Sequence, residues 1–382
     1  MRISEIEMHE FDYEIENVGT IDGNWAYDPD SILEPPGFVL TIRTANGTEG
    51  HCRGFAFTPP AVAQIKMVAA DLLGRDPLER EGIWSDLWRA LRHTDHLGVG
   101  PIDIALWDLA GNHYDESVSK LLGGYRDRLP TYASTMFVDN SGGLDSPEAF
   151  ADYAEACLDR GYEGFKFHGH PDSRPDFDIA ICEALAERVG NEMDLMIDSS
   201  SLYRTYADAL KVGRAIDDLE FFWYEDPLWD GGESARMLRK LVATLDTPVL
   251  GLEHVRTGPY GTASHLAEEA ADFIRASAHL DGGITGLMKT ANAVEAFGLD
   301  TELLLGGPAH MHAMSALRNT NYFEHGLLHP ESRWLFDQGY EGDPESLADD
   351  GTMCAPDSPG LGVGIDWDFI EERRSNHTLI DG

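Results

Sequence analysis

Residues 195–253 read LMIDSSSLYRTYADALKVGRAIDDLEFFWYEDPLWDGGESARMLRKLVATLDTPVLGLE. Three short β-rich runs lie in this stretch: Leu195-Met196-Ile197-Asp198, Phe221-Phe222-Trp223-Tyr224-Glu225 and Val249-Leu250-Gly251-Leu252-Glu253. Each ends in a carboxylate, and the carboxylates stand 27 and 28 residues apart, about one strand-plus-helix unit. The same rhythm continues on both sides, at Thr131–Met136, Gly164-Phe165-Lys166-Phe167-His168, Phe273–Ser277 and Glu302–Leu305. About seven such units over roughly 200 residues favour a parallel sheet closed into a barrel over an open one.

Before residue 130 the pattern differs. Gly37–Thr44 and Glu49–Phe55 alternate in the strand manner about Asn46-Gly47, which predicts a hairpin. From about 60 to 122 the pattern is helical, closing at Leu121-Leu122-Gly123-Gly124. Beyond about 330 the chain is rich in Gly, Pro and Asp and is expected to wrap back onto the first domain. The expected fold is α/β: a (β/α)8-type TIM barrel over 126–330 and an α+β domain over 1–125, to which residues 331–382 are expected to return.

Charge narrows the function. Asp and Glu total 68 against 28 Lys and Arg, a net charge of −40. Such a field repels phosphate backbones and anionic membranes, so nucleic-acid and membrane partners are disfavoured. The acid is spread along the chain, and the only lysines are Lys66, Lys120, Lys166, Lys211, Lys240 and Lys289. Diffuse acid with scarce lysine suggests a cytoplasm with molar salt, where a Debye length of ~3 Å screens self-repulsion. No apolar run approaches the ~18–20 residues of a membrane span. The opening MRISEIEMHEFDYE lacks the features of a secretory signal. Cys52, Cys157, Cys182 and Cys354 show no C-x-x-C spacing. A cytoplasmic protein is expected.

In a parallel barrel all strand C-termini open on one face, where Lys166, His168, Asp198, Glu225 and Glu253 should converge. Three carboxylates in one small volume cannot all stay ionised without a cation. An all-oxygen set suits a hard divalent ion, Mg²⁺ before Mn²⁺.

These residues resemble the enolase superfamily, specifically its mandelate racemase-like branch, over essentially the whole chain. Ile102-Asp103-Ile104-Ala105-Leu106-Trp107-Asp108-Leu109-Ala110-Gly111 and Leu121–Gly124 are similar to the family's cap-to-barrel link. Lys166-Phe167-His168 matches its K-x-H/K pair, and Asp198, Glu225 and Glu253 match its metal ligands. Gly282-Gly283-Ile284-Thr285 resembles its G-G-I-T turn. The resemblance implies Mg²⁺-assisted removal of the proton next to a substrate carboxylate, with Lys166 and His168 flanking the α-carbon. It also implies that Glu324 hydrogen-bonds the substrate carboxylate, that cap loops choose the substrate, and that the chain forms a homo-oligomer.

The sequence departs from the family pattern at one place. The aspartate and histidine of the opposite-face acid/base dyad fall on Ser277 and Leu304. His310 lies nearby and is the candidate replacement; His312 reads as a helix residue without a catalytic role. Racemisation needs acid/bases on both faces of the carbanion plane, whereas β-elimination runs from one. The expected reaction is therefore dehydration of an aldonate-type sugar acid to a 2-keto-3-deoxy acid. The alternatives are an epimerase or cycloisomerase using His310, and a non-catalytic sugar-acid-binding barrel. Trp25, Tyr27, Arg53 and Phe55 are cap candidates for contacting substrate or for cap core. Arg92, His93 and His96 read as surface residues, Asp226-Pro227 and Asp281 as turn residues. His254, next to Glu253, should point the opposite way by strand alternation.

Overall fold

The computed structural model describes residues 1–21, 23–54, 58–255, 258–332 and 338–382. Alternating polar and apolar residues set up the first strands: β1 (Ile3–Asp12), β2 (Ile15–Ile21), β3 (Asn24–Leu33), β4 (Pro36–Thr44) and β5 (Glu49–Gly54). β1, β4 and β5 form one antiparallel sheet, and β2 and β3 a separate hairpin. The β4–β5 hairpin turns at Asn46-Gly47, where Gly47 has φ +87° and its N–H donates to the Thr44 carbonyl at 2.9 Å. That positive φ is the left-handed conformation glycine tolerates.

Four helices follow: α1 (Thr58–Val68), α2 (Arg80–Ala90), α3 (Val99–Tyr114) and α4 (Val118–Leu122). α3 carries the apolar run Ile102–Ala110 and is buried on nearly all sides, as a helix apolar all round must be. It lies between β5 of the cap and the barrel. A Cβ on Gly50 would stand 2.3 Å from the Ala105 carbonyl oxygen, so only glycine admits this close strand–helix contact.

The barrel strands are β6 (Leu129–Phe137), β7 (Gly164–His168), β8 (Asp194–Asp198), β9 (Trp223–Glu225), β10 (Val249–Gly251), β11 (Phe273–Ala276), β12 (Asp300–Leu303) and β13 (Phe323–Leu328). Between them run α5 (Pro147–Leu158), α6 (Pro175–Val189), α7 (Tyr206–Asp217), α8 (Ala235–Val242), α9 (Gly258–Ala267), α10 (Gly283–Ala296) and α11 (Pro308–Ala316). Caps written in the sequence start two of these helices: Ser146 before Pro147, and Thr205 accepting from the Asp208 N–H. The strands are parallel in the order β12-β11-β10-β9-β8-β7-β6-β13. β12 and β13 meet through the Thr301 N–H on the Asn319 carbonyl (2.8 Å) and the Leu305 N–H on the Glu324 carboxylate (2.7 Å).

Strand parity divides the side chains. Phe165, Phe167, Leu195, Ile197 and Tyr224 face the helix layer, while Tyr132, Met196, Trp223 and Leu250 fill the barrel interior. Each such buried side chain contributes about 1.5–3 kcal/mol. Cap and barrel are joined by the segments that carried the family resemblance. Asp103 accepts from the Thr285 N–H (2.8 Å) and hydroxyl (2.7 Å), and Trp84 Nε1 donates to the Gly282 carbonyl (2.8 Å). Gly283, at φ +83°, comes so close to Asp103 that a Cβ would sit 2.2 Å from its carboxylate.

The end of the chain touches both domains. β14 (Thr352–Met353) pairs with β6 at the barrel base. After α12 (Trp367–Arg373), β15 (Arg374–Asp381) pairs antiparallel with β1. No helix among the described residues is long and apolar enough to cross a membrane.

Candidate active site

Register brings the polar strand ends together. His168 pairs with Asp198 across β7/β8, and Asp198 with Glu225 across β8/β9, so three strands present functional groups side by side. Parity puts Lys166 one layer below His168 on the same inward face. Glu253 follows β10 and leans back toward the pair. Asp198, Glu225 and Glu253 each offer an oxygen within 4.8 Å of the other two.

Beneath them lies a buried charge network. Lys166 Nζ donates to Glu225 Oε2 (2.9 Å), pairs with Glu324 Oε1 (2.9 Å) and stands 3.7 Å from Asp198 Oδ2. Arg275, on β11, donates from Nε to Glu225 Oε1 (2.6 Å) and from Nη2 to Glu225 Oε2 (3.0 Å). Its remaining donors reach the Tyr132 hydroxyl (3.1 Å) and the Leu303 carbonyl (3.1 Å). Burial and Arg275 push the Lys166 ammonium toward neutrality; Glu225 and Glu324 overcome both and keep its pKa well above the ordinary value. Burial would also raise Asp198, but His168, Lys166 and the Ser200 N–H hold it well below the usual carboxylate range. Glu225 goes the other way. Burial, reinforced by Asp198 and Glu253 against the pull of Arg275 and Lys166, lifts it to about 7.

Two features fit a hard divalent cation here. The donor set is all oxygen, and the adjacent Asp226 carboxylate, buried, has no hydrogen-bond partner on either oxygen among the described residues. His254 Nε2 stands 3.7 Å from it.

His168 Nδ1 lies 2.6 Å from the Thr135 carbonyl, an acceptor only, so this nitrogen carries a proton. Nε2 is then the nitrogen that faces the site, 3.2 Å from Asp198 Oδ2.

Comparison with known proteins places the chain in a family. The family described as "Enolase C-terminal domain-like" matches residues 149–369, and "Mandelate racemase / muconate lactonizing enzyme, N-terminal domain" matches residues 31–123. The chain belongs to the enolase superfamily. It is a mandelate racemase-like member, with that branch's modified TIM barrel and α+β cap. A solved structure of D-glucarate dehydratase from Agrobacterium tumefaciens, complexed with magnesium, is 33% identical, with a TM-score of 0.89. It aligns over 98% of this chain and 99% of that one. D-galactarolactone cycloisomerase from Agrobacterium fabrum is 29% identical over 88% of this chain and 90% of its own length. Arabinonate dehydratase from Saccharolobus solfataricus is 26% identical over 87% and 88%.

Within this superfamily member, His310 is the main correction to the sequence reading. It is fully buried on α11, with Nδ1 bonded to the Gly306 carbonyl (2.8 Å) and Nε2 accepting from the Ala278 N–H (2.8 Å). Both ring nitrogens are committed to backbone, so neither is presented to a substrate. His312 is equally tied, to the Ser119 N–H and the Leu361 carbonyl. Burial holds His310 down at about 4, against an ordinary 6.5. The unfolded chain therefore binds a proton below pH 6.5 that the native chain refuses until about pH 4. Stability is complete above 6.5 and is lost as pH falls through that window, by on the order of 3 kcal/mol. Urea unfolding at pH 7 and 4.5 should show a shallower acid loss in His310→Gln, whose amide offers one donor and one acceptor; an unchanged slope rejects the assignment.

His254 is the second correction. The strand ends at Gly251 and Leu252 has φ +82°, which breaks the alternation. As a result, His254 lies on the same side as Glu253, grouped with it and Asp226 within 4.8 Å. Asp281 is a turn residue, accepting from the Ser277 N–H at 2.7 Å. Arg92 and His93 are exposed, and His96 stacks on Trp88 at 3.9 Å.

Above the barrel mouth is a cavity of about 430 Å³. The cap contributes Tyr13, Asn24 and Trp25; the barrel contributes Phe137, Glu253, Ser277, His279, Leu304 and Leu305. Trp25 therefore reaches the cavity. Tyr27 instead stacks on His329 (4.5 Å between centroids), and Arg53 is buried over the Tyr13 ring (4.9 Å). Phe55 lies outside the described residues. Two residues of this neighbourhood had no signal in the sequence argument: Arg275, in the middle of a strand run, and His279, in the loop after it.

Proposed function

We propose that this chain catalyses Mg²⁺-dependent dehydration of an aldonate-type sugar acid to its 2-keto-3-deoxy acid. The observation that carries this reading is one-sidedness. Lys166 and His168 stand together on β7 beside Asp198 and Glu225, while the positions of the family's opposite dyad hold Ser277 and Leu304, which line the cavity. Dehydratases of sugar acids among the relatives support it.

Asp198, Glu225 and Glu253 would hold the ion. Bound there, Mg²⁺ supplies fixed positive charge against the negative charge that develops on the substrate carboxylate. The protein residues divide the remaining work. Lys166 stays an ammonium and adds preorganised positive charge at the same place. Burial would raise Glu324, but Lys166 and Arg275 hold it down at about 2, so it is an anion that accepts from Lys166 and the Leu305 N–H. Its role here is to position Lys166. His168 Nε2 exchanges the proton: C2 loses hydrogen, the C3 hydroxyl leaves as water, and the resulting enol ketonises.

A second reading, epimerisation or cycloisomerisation, is favoured by His279 in the cavity lining, with a cycloisomerase among the relatives. Against it, burial, with His310 and Arg53 nearby, holds His279 at about 3, a weak base at neutral pH. The charge of −40 is read as adaptation to molar salt. The test is therefore an acid-sugar library assayed in molar KCl with Mg²⁺ for 2-keto-acid formation, beside Glu225→Ala. One or more aldonates should yield 2-keto acid, and none with the variant. Exchange of the α-hydrogen in D₂O without keto-acid formation, lost in His279→Asn, would establish the second reading instead.

A further inference from the structure

A second group of ligating side chains lies in the cap, on the sheet face under α12. Glu7 and His9 stand two apart on β1, hence on one face, and His377 on β15 is the direct cross-strand partner of His9. Glu7 Oε1 lies 3.1 Å from His9 Nε2 and 2.8 Å from His377 Nε2. One ligating atom from each of the three residues lies within 4.8 Å of the others. Ligands about 2.0–2.1 Å from a tetrahedral ion are themselves about 3.3 Å apart, so these spacings need only a small expansion. The other Glu7 oxygen faces Arg43 at 3.6 Å, which leaves Oε1 to the imidazoles.

An independent feature points to a metal. The back nitrogen of His9, Nδ1, is buried and has no hydrogen-bond partner among the described residues, with the Glu371 carboxylate of α12 3.1 Å away, and the residue, 6% exposed, packs its ring edge-on against Trp367 at 5.3 Å. A buried, unpartnered ring nitrogen with a carboxylate this close behind it, and the front nitrogen turned into a cluster of donors, is placed to complete the outer-shell contact that orients a histidine ligand once a metal binds. His377 is exposed, which gives an ion access from solvent.

We propose that Glu7, His9 and His377 form a site for a divalent transition-metal ion of the zinc class, clipping the last strand of the chain to the first. The two-nitrogen, one-oxygen set selects against Mg²⁺, which prefers oxygen alone, so this site is chemically distinct from the barrel carboxylates. β15 is an edge strand with most of its residues exposed. A ligand bound only when β15 is docked on β1 stabilises that docking by mass action.

The experiment is calorimetric titration of the full-length protein with Zn²⁺ in saturating Mg²⁺, which occupies the barrel site. One Zn²⁺ per chain is expected, with Kd in the micromolar range or below. His377→Ala, at an exposed edge position that does not disturb the core, should abolish it. Glu371→Gln should weaken it about 10–100-fold, and Asp198→Asn should leave it intact. Hydrogen exchange in β15 should slow on adding Zn²⁺ to wild type and not to His377→Ala. The proposal is overturned by absence of stoichiometric binding, by binding that survives His377→Ala, or by binding that disappears with Asp198→Asn. An imidazolium bridging Glu7 and Glu371 without any ion would give the first of these results.

Discussion

Lys166→Met is expected to lower kcat by at least about 10³-fold while leaving Mg²⁺ binding intact or tighter. The ammonium touches Glu225 and Glu324 and stands 3.7 Å from Asp198, yet it is not among the oxygen donors that would hold the ion. In the proposed reaction Lys166 supplies preorganised charge where substrate charge would develop, and such groups contribute about 10²–10³ in rate. Its loss would also disturb proton transfer by His168, where losses of about 10²–10⁴ are usual. The three carboxylates are left more negative, so cation affinity does not fall. Steady-state kinetics and calorimetry with Mg²⁺ separate the two effects. Turnover within tenfold of wild type, or loss of the ion together with activity, would show that Lys166 does not have this role.

Arg275→Met is expected to cost about 3–5 kcal/mol of folding stability, the range for removing one partner from a buried ion pair. All three guanidinium nitrogens donate, to Glu225, the Tyr132 hydroxyl and the Leu303 carbonyl. Without it Glu225, already raised to about 7 by burial, faces Asp198 and Glu253 with Lys166 as its only remaining cation partner among the described residues. Arg275→Lys should recover less than half of the loss, because one ammonium cannot span the same set of acceptors. Urea unfolding in Mg²⁺-free buffer measures both variants. A loss below about 1 kcal/mol for Arg275→Met would mean that the network relaxes around the substitution and that Arg275 does not organise it.

These two residues were not equally visible in the sequence. Lys166 sits in Lys166-Phe167-His168 at a strand end, where parity and the barrel's open face both point to function. Arg275 sits in Phe273-Ile274-Arg275-Ala276, where a single charge inside an apolar run has no partner that sequence spacing can supply. Its partners come from β6, β9 and β12, at separations of 143, 50 and 28 residues. His310 shows the converse. Its position near the expected dyad made it a candidate, but the carbonyl of Gly306 and the N–H of Ala278 tie up its ring. Alternation predicts the wrong side for His254, because it holds only while the backbone stays extended, and at Leu252 it does not.

The sequence by itself determined the barrel, the cap and the convergence of Asp198, Glu225 and Glu253, because these follow from local periods: two residues per strand face and one carboxylate per strand-plus-helix unit. Tertiary structure alone decided which cations neutralise those carboxylates, where His254 and His279 point, and that His9 and His377, 368 residues apart, meet over Glu7. The physical reason is range. Periodicity is a property of neighbouring residues, whereas charge compensation, hydrogen-bond capture of a ring and backbone reversal at a loop depend on groups that only the folded chain brings within a few ångströms.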